Sequence, residues 1–319
     1  MKQEVFEQHN QRFWQTFNYQ LEALEQGKKQ AFNHFAADYR RLCQHLAIAR
    51  HRGYSQHLII FLNDLMLRGH QVLHKRPSHF WLSLVHFLGY QFPQAVRAQW
   101  RYIWVASALV YLPTVLLIGA IQVEPDLVYL VVDSQDLASY EAMYDPSSES
   151  LGKKREASTD LQMFGFYIQH NIGIAFRTFA TGIVFAIGSI FFLVFNGVIG
   201  GVIAGHLTHI GYNEPFWTFV IAHSAFEITA ITFAGAAGMK LGFTVLSPGS
   251  FSRVEALKNA ARECTPILYG VIIMLMIAAF LEAFWSSDHT LPTVVKYSVG
   301  AAMWALVISY FTLSGRNAR

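Results

Sequence analysis

Phe216-Trp-Thr-Phe-Val-Ile-Ala-His223-Ser-Ala-Phe-Glu227-Ile-Thr-Ala-Ile-Thr-Phe-Ala-Gly-Ala-Ala-Gly238 is an apolar run with two ionisable residues near its middle. Crossing a bilayer as a helix takes about 20 residues, and this run is long enough. Asn213-Glu214-Pro215 precedes it, a good cap and first-turn signal. Five further apolar stretches follow the same reading: 102–121, loosened by Pro113; 172–195; 197–212, short and Gly-rich; 265–284; and about 297–313. The chain is therefore expected to be all-α and polytopic, with about six transmembrane helices. Asn196-Gly197 separates the second and third stretches and predicts a broken or re-entrant element there. Such breaks are tolerated only against protein or a water-filled cavity.

Composition agrees. The 319 residues are 53% hydrophobic and 14% charged, whereas a soluble domain carries about 25% charged residues. A formal charge of +3 spread beside apolar runs excludes nucleic acid as the natural partner. Cys43 and Cys264 are too few for a disulfide framework or a thiolate metal site.

Residues 1–99 read differently from the rest. Phe6, Phe13, Phe17, Leu21 and Leu24 recur at helical spacing, closed by Gly27. Phe32, Phe35, Tyr39, Leu42, Cys43 and Leu46 repeat the pattern, and Tyr54, Leu58, Phe61, Leu62, Leu65 and Leu73 give a third stripe. A cytoplasmic three-helix bundle is expected over 1–99, with a short interfacial helix at 80–88 carrying Trp81, and a transmembrane domain over 100–319. No stretch before Arg101 is apolar enough for a signal peptide, so the first span is expected to direct its own insertion.

Basic residues set the orientation. Lys75, Arg76, Arg97 and Arg101 precede the first span; Lys240, Arg253, Lys258 and Arg262 lie between the fourth and fifth; Arg316 and Arg319 end the chain. An even number of spans puts all three groups, and both termini, in the cytoplasm. The long polar loop, about 122–165, is then extracytoplasmic. It is mostly acidic, Glu149 included, with one basic cluster, Lys153-Lys154-Arg155.

An ionisable group at the bilayer centre costs about 2.5–3.5 kcal/mol on insertion scales, so each needs a reason. His223 and Glu227 share one helical face. Arg177, in the second span, falls at a depth comparable to Glu227 and is expected to face it or share its network. Asn171, Asn196 and Glu282 complete an intramembrane polar cluster. Two readings stay open: a structural ion pair that fixes helix register, or a metal, proton or substrate site. For zinc or manganese, His223 and Glu227 need a third ligand, for which His170, His206 or Glu282 are available. No Ser, Cys or Asp stands in an arrangement that names a nucleophile. Gly197, Gly200, Gly201, Gly205, Gly235 and Gly238 give small-residue faces for close helix packing or a hinge.

The stretch 163–171, continuing through Phe176-Arg177 to Gly182 and then Asn196-Gly197, resembles the stage II sporulation protein M family of bacterial membrane proteins. So do His223-Ser-Ala-Phe-Glu227, Ala234-Gly-Ala-Ala-Gly238 and the 247–253 loop. Tyr39-Arg40-Arg41, the 45–50 stretch and Leu62-Asn63-Asp64 are similar to the leading helices of its longer, non-sporulation branch. The resemblance implies an inner-membrane protein that scaffolds or recruits partners in envelope-related processes; a homo-oligomer is a further expectation. It also points to MoxR-type AAA ATPases as partners, because genes of that branch often neighbour theirs. Where many members have Asn-Asn, this chain has His170-Asn171. The rival readings are an intramembrane metal-dependent hydrolase using His223 and Glu227, and an ion-coupled transporter or channel.

Overall fold

The computed structural model describes residues 2–26, 34–74, 80–147, 157–288 and 290–316. Gly27, Phe32, Lys75, Arg76, Glu149, the Lys153-Lys154-Arg155 cluster and Arg319 lie outside them. The described regular structure is helical throughout, and the chain divides into two compact units, Met1–Phe80 and Trp81–Arg319.

The first unit is three helices: α1 (Gln3–Glu25), α2 (Phe35–His51) and α3 (Gln56–His74). Phe6, Phe17 and Leu21 meet Leu42 and Leu46 of α2 and Leu58, Leu62 and Leu65 of α3 in one core. The anticipated stripes hold except at their edges: Phe61 and Leu73 stay exposed, while Trp14 goes inside. Trp14 enters because its indole N–H finds an acceptor, donating to His45 Nδ1 at 3.0 Å. Arg68 forks onto both carboxylate oxygens of Glu25, at 3.0 and 2.8 Å, tying α3 to the end of α1.

The second unit begins with α4 (Phe80–His86), which passes through a π-helical turn, Phe87–Gln91, into α5 (Phe92–Ala98). Then come α6 (Trp100–Val123), α7 (Ser134–Tyr144), α8 (Ala157–Ala180), α9 (Ile187–His209), α10 (Asn213–Leu246), α11 (Arg253–Phe280) with a π-helical end at Leu281–Ser286, and α12 (Thr293–Leu313). Residues 81–99 belong here, so the division falls before Trp81 rather than after residue 99. The reason is Phe92: its ring fills the space above Gly270 of α11 and packs edge-on to Phe311, with centroids 5.2 Å apart.

Among the described residues, five helices are long and apolar enough to cross a membrane: α6, α9, α10, α11 with its π-helical end, and α12. The sixth expected crossing is α8. It has the length, but Gln162, Gln169, His170, Asn171 and Arg177 make it less apolar than those five. α10 is the central helix and touches α6, α8, α9, α11 and α12.

The break between the second and third spans lies earlier than Asn196-Gly197. It is the corner at residues 181–186, where Phe185 and Ala186 take φ of 51° and 67°, the left-handed region that non-glycine residues rarely adopt. The corner is held by close backbone approach. A Cβ on Gly182 would strike the Gly238 backbone, and one on Gly242 would strike Gly182 and Ala186. Ser189 Oγ donates to the Thr178 carbonyl at 2.6 Å, capping an acceptor that the end of α8 leaves free. Asn196-Gly197, by contrast, sits inside a continuous α9. Asn196 Nδ2 donates to the Phe192 carbonyl at 2.6 Å. Gly197, Gly201 and Gly205, one turn apart, let α6 approach closely, and Thr114 Oγ1 and Gln122 Nε2 reach the Gly197 and Gly205 carbonyls, each at 2.9 Å. That approach is small-residue packing within a bilayer.

Two outcomes follow. Gly238→Leu is expected to overpack the corner and destabilise the purified protein by about 1–3 kcal/mol, read as a lowered thermal midpoint. Gly200→Leu, where a Cβ meets nothing within 4 Å, should not. In the first unit, the Trp14 indole can only donate, so His45 Nδ1 must accept. Burial first, then Arg41 and His9, hold the His45 imidazole below its ordinary pKa of 6.5. Below that pH the unfolded chain therefore binds more protons than the folded one. Stability is full above about 6.5 and declines as pH falls toward the folded pKa. His45→Gln, an acceptor that does not titrate, should flatten the decline. Amide exchange of α1–α3 in the full chain on either side of that pH, corrected for intrinsic rates, checks it.

Candidate functional site

Three helices bring the polar residues together. His223 and Glu227 stand one turn apart on α10. Glu282 and Ser286 stand one turn apart on the π-helical end of α11, which runs the other way, and π-helical turns are frequent at functional sites. Ser286 thereby meets His223, its Oγ 3.1 Å from Nδ1. One ligand atom from each of His223, Glu227 and Glu282 lies within 4.8 Å of the others. The third helix is α8, whose Asn171 sits beside both carboxylates and is 2% exposed. Its position follows from the corner. Asn171 precedes Gly182 by the same number of residues as Glu227 precedes Gly238, about three helical turns. Docking Gly182 on Gly238 therefore sets Asn171 level with Glu227.

Around this group the surroundings are specific. The His223 imidazole is also engaged by the backbone of Phe219 on its own helix. With Nδ1 occupied, Nε2 is the nitrogen left for a ligand. Lys296 of α12, 3% exposed, donates from Nζ to the Ser286 carbonyl at 3.0 Å. Tyr144, at the end of α7, stacks edge-on to Phe216 and Phe219 with centroids 5.2 and 6.0 Å away. Burial first, then the Glu282 carboxylate, push its phenol well above the ordinary range, so it stays a neutral O–H beside the cluster. Neither Glu227 nor Glu282 has an ion-pair partner among the described residues. Asn171 Nδ2 and Glu282 Oε2 are buried with no hydrogen-bond partner. Two carboxylates, an imidazole and a carboxamide without a cation form a set that protons or a metal ion would complete.

The remaining expected members lie elsewhere. Arg177 does not face Glu227: it is exposed, and its Nε donates to the Gly173 carbonyl of its own helix at 3.1 Å. The two residues lie on different sides of their helices, a matter of rotation that depth along the span does not fix. Asn196 is tied to α9, as above. His170 is exposed and stacks on Phe166 with centroids 5.6 Å apart. His206 is buried but pairs with Glu141 of α7, Nε2 to Oε1, at 2.7 Å. The third possible ligand beside His223 and Glu227 is therefore Glu282, and not His170 or His206. Sequence reasoning missed Ser286, Lys296 and Tyr144. Glu282-x-x-x-Ser286 repeats the one-turn spacing of His223-x-x-x-Glu227, and Lys296 is a lone cation near the start of an apolar run; both were available signals.

A family described as Stage II sporulation protein M matches residues 103–287, more than half of the chain, and that region contains all four members of the cluster. A domain of unknown function (DUF8413) matches residues 4–75, within the first compact unit. An uncharacterized protein of Methanocaldococcus jannaschii is 26% identical over 125 residues, covering 38% of this chain and 69% of that protein. No solved structure matches. Because Arg177 serves only its own helix, Arg177→Ala is expected to change stability by no more than about 0.5 kcal/mol; a thermal midpoint in detergent well below wild type would contradict the assignment.

Proposed function

Since this chain belongs to the Stage II sporulation protein M family, we propose that it is a scaffold of the bacterial inner membrane, recruiting a soluble partner through its N-terminal helices in an envelope-related process. The observation that carries this reading is the division of labour between the two units. The first has its own aromatic core and its own domain match, while the second holds every helix able to cross a membrane. Counting α8 as a crossing makes six, and both termini then face the cytoplasm. Arg97 and Arg101 before α6, Lys240 and Arg253 between α10 and α11, and Arg316 after α12 support that orientation. Glu141 and the rest of α7 would lie outside.

The partner-facing surface is the groove between α1 and α3, where Trp14, Leu58 and Phe61 are rimmed by Gln11, Asn18 and His57. Phe61 is 40% exposed and offers an aromatic anchor point in that groove. A MoxR-type AAA ATPase is the partner that the family resemblance suggests. An ion conduit is less well supported. Beyond Glu227, α10 enters an apolar cluster in which Phe233 and Ala234 pack with Val271 and Met274, so an apolar layer closes the bundle below the polar cluster.

Two measurements test the proposal. Reporter fusions should give cytoplasmic signals at both termini; an external C-terminus would overturn the six-crossing topology. The tag-purified full chain should retain an added MoxR-type AAA ATPase, and Phe61→Glu should reduce retention at least about tenfold with unchanged amide protection of α1–α3. Equal retention by wild type and variant would remove the groove from the scaffold reading.

A further inference from the structure

We propose that His223, Glu227, Glu282 and Asn171 form a binding site for one divalent transition-metal ion, zinc or manganese, inside the helical bundle. This goes beyond the scaffold reading and does not depend on it.

Four observations converge. The first is preassembly. Ligand atoms at about 2.0–2.2 Å from a tetrahedral metal stand roughly 3.4 Å from one another. The three atoms from His223, Glu227 and Glu282 are already within 4.8 Å of one another. Small side-chain rotations bring them onto an ion without moving a helix.

The second is an unpartnered group aimed at the same point. Asn171 is 2% exposed and lies against both carboxylates, yet its buried Nδ2 makes no hydrogen bond of normal geometry with either. Turning the carboxamide over exchanges nitrogen for oxygen at that position. Oδ1 then becomes a fourth donor. The unpartnered Glu282 Oε2 is the other atom with nothing to bind.

The third is charge. Two carboxylates sit in a membrane bundle without an ion-pair partner among the described residues, and Arg177 points elsewhere. A divalent cation neutralises both at once. The donor set, one imidazole nitrogen and three oxygens, suits zinc or manganese better than a thiolate-seeking metal.

The fourth is the support behind the ligand. Metal-binding histidines usually have their other nitrogen held. Here Ser286 Oγ holds His223 Nδ1, and Lys296 Nζ holds the Ser286 carbonyl. Lys296 and Ser286 are positioning residues: they orient His223 and do not touch the ion. Four protein donors saturate a tetrahedral zinc ion, whereas a six-coordinate manganese ion would keep room for water.

The test uses the tag-free full chain in detergent, stripped with chelator and titrated separately with zinc and with manganese. Wild type is expected to retain close to one equivalent after removal of loosely bound ion. X-ray absorption of the zinc form should show only nitrogen and oxygen neighbours, and manganese should give a bound-ion paramagnetic signal. Glu282→Gln, which keeps the side-chain volume, should weaken binding at least tenfold, and so should His223→Ala. Ser286→Ala, which removes no ligand, should weaken it about tenfold, in the range for such supporting groups. A wild-type chain that retains neither ion would overturn the site whatever the variants do. Retention unchanged in a His223→Ala/Glu227→Gln double variant would do the same, because the ion would then be bound elsewhere.

Discussion

A helix that stops inside or at the edge of a bilayer must give its free carbonyls to some other group. In this protein the end of α8 gives them to Ser189 and to a tight corner pressed on the glycines of α10. That contact fixes more than a turn. α8 and α10 leave it running alongside each other in matching register, so a backbone contact at Gly238 determines which α8 side chain stands beside Glu227 about three turns away. The left-handed Phe185 and Ala186 are held by this contact, since neither favours that conformation alone.

The polar cluster reads as a consequence of that geometry together with the antiparallel run of α10 and α11. Two one-turn pairs, His223 with Glu227 and Ser286 with Glu282, are laid side by side, and Asn171 closes a third side. The first unit shows the same physics at lower stakes: a buried Trp14 and a buried His45 satisfy each other within an aromatic core. What separates the two places is charge. The Trp14–His45 pair satisfies itself, whereas the cluster in the second unit leaves a carboxylate oxygen over.

Much of this architecture was legible from residue patterns. Apolar runs located the crossing helices, and the N-terminal stripes located the core of α1–α3. The one-turn spacing of His223 and Glu227 marked the centre of the cluster, because spacing along one helix is a local property. The errors came from properties that are not local. Arg177 was matched to Glu227 by depth, but pairing also needs the right helical rotation, and Arg177 turns back on Gly173. A break is expected at Asn196-Gly197 because the pair separates two apolar stretches, yet α6 needs that glycine for close packing. The true corner lies among residues of ordinary apolar appearance, and only its contact with Gly238 and Gly242 explains it. Residues 81–99 looked like an appendage of the soluble bundle until Phe92 filled the space over Gly270.

The corner also carries Ile183, Val184 and Phe185 with about half of their surface uncovered. These side chains need hydrocarbon or another apolar surface against them. The lipid is therefore a structural neighbour of the corner, and through the shared register of α8 and α10 it is mechanically linked to the position of Asn171. A bilayer whose thickness drew that corner up or down would shift one wall of the polar cluster relative to the others. The local membrane composition thus becomes one of the variables that set the geometry of the buried carboxylates.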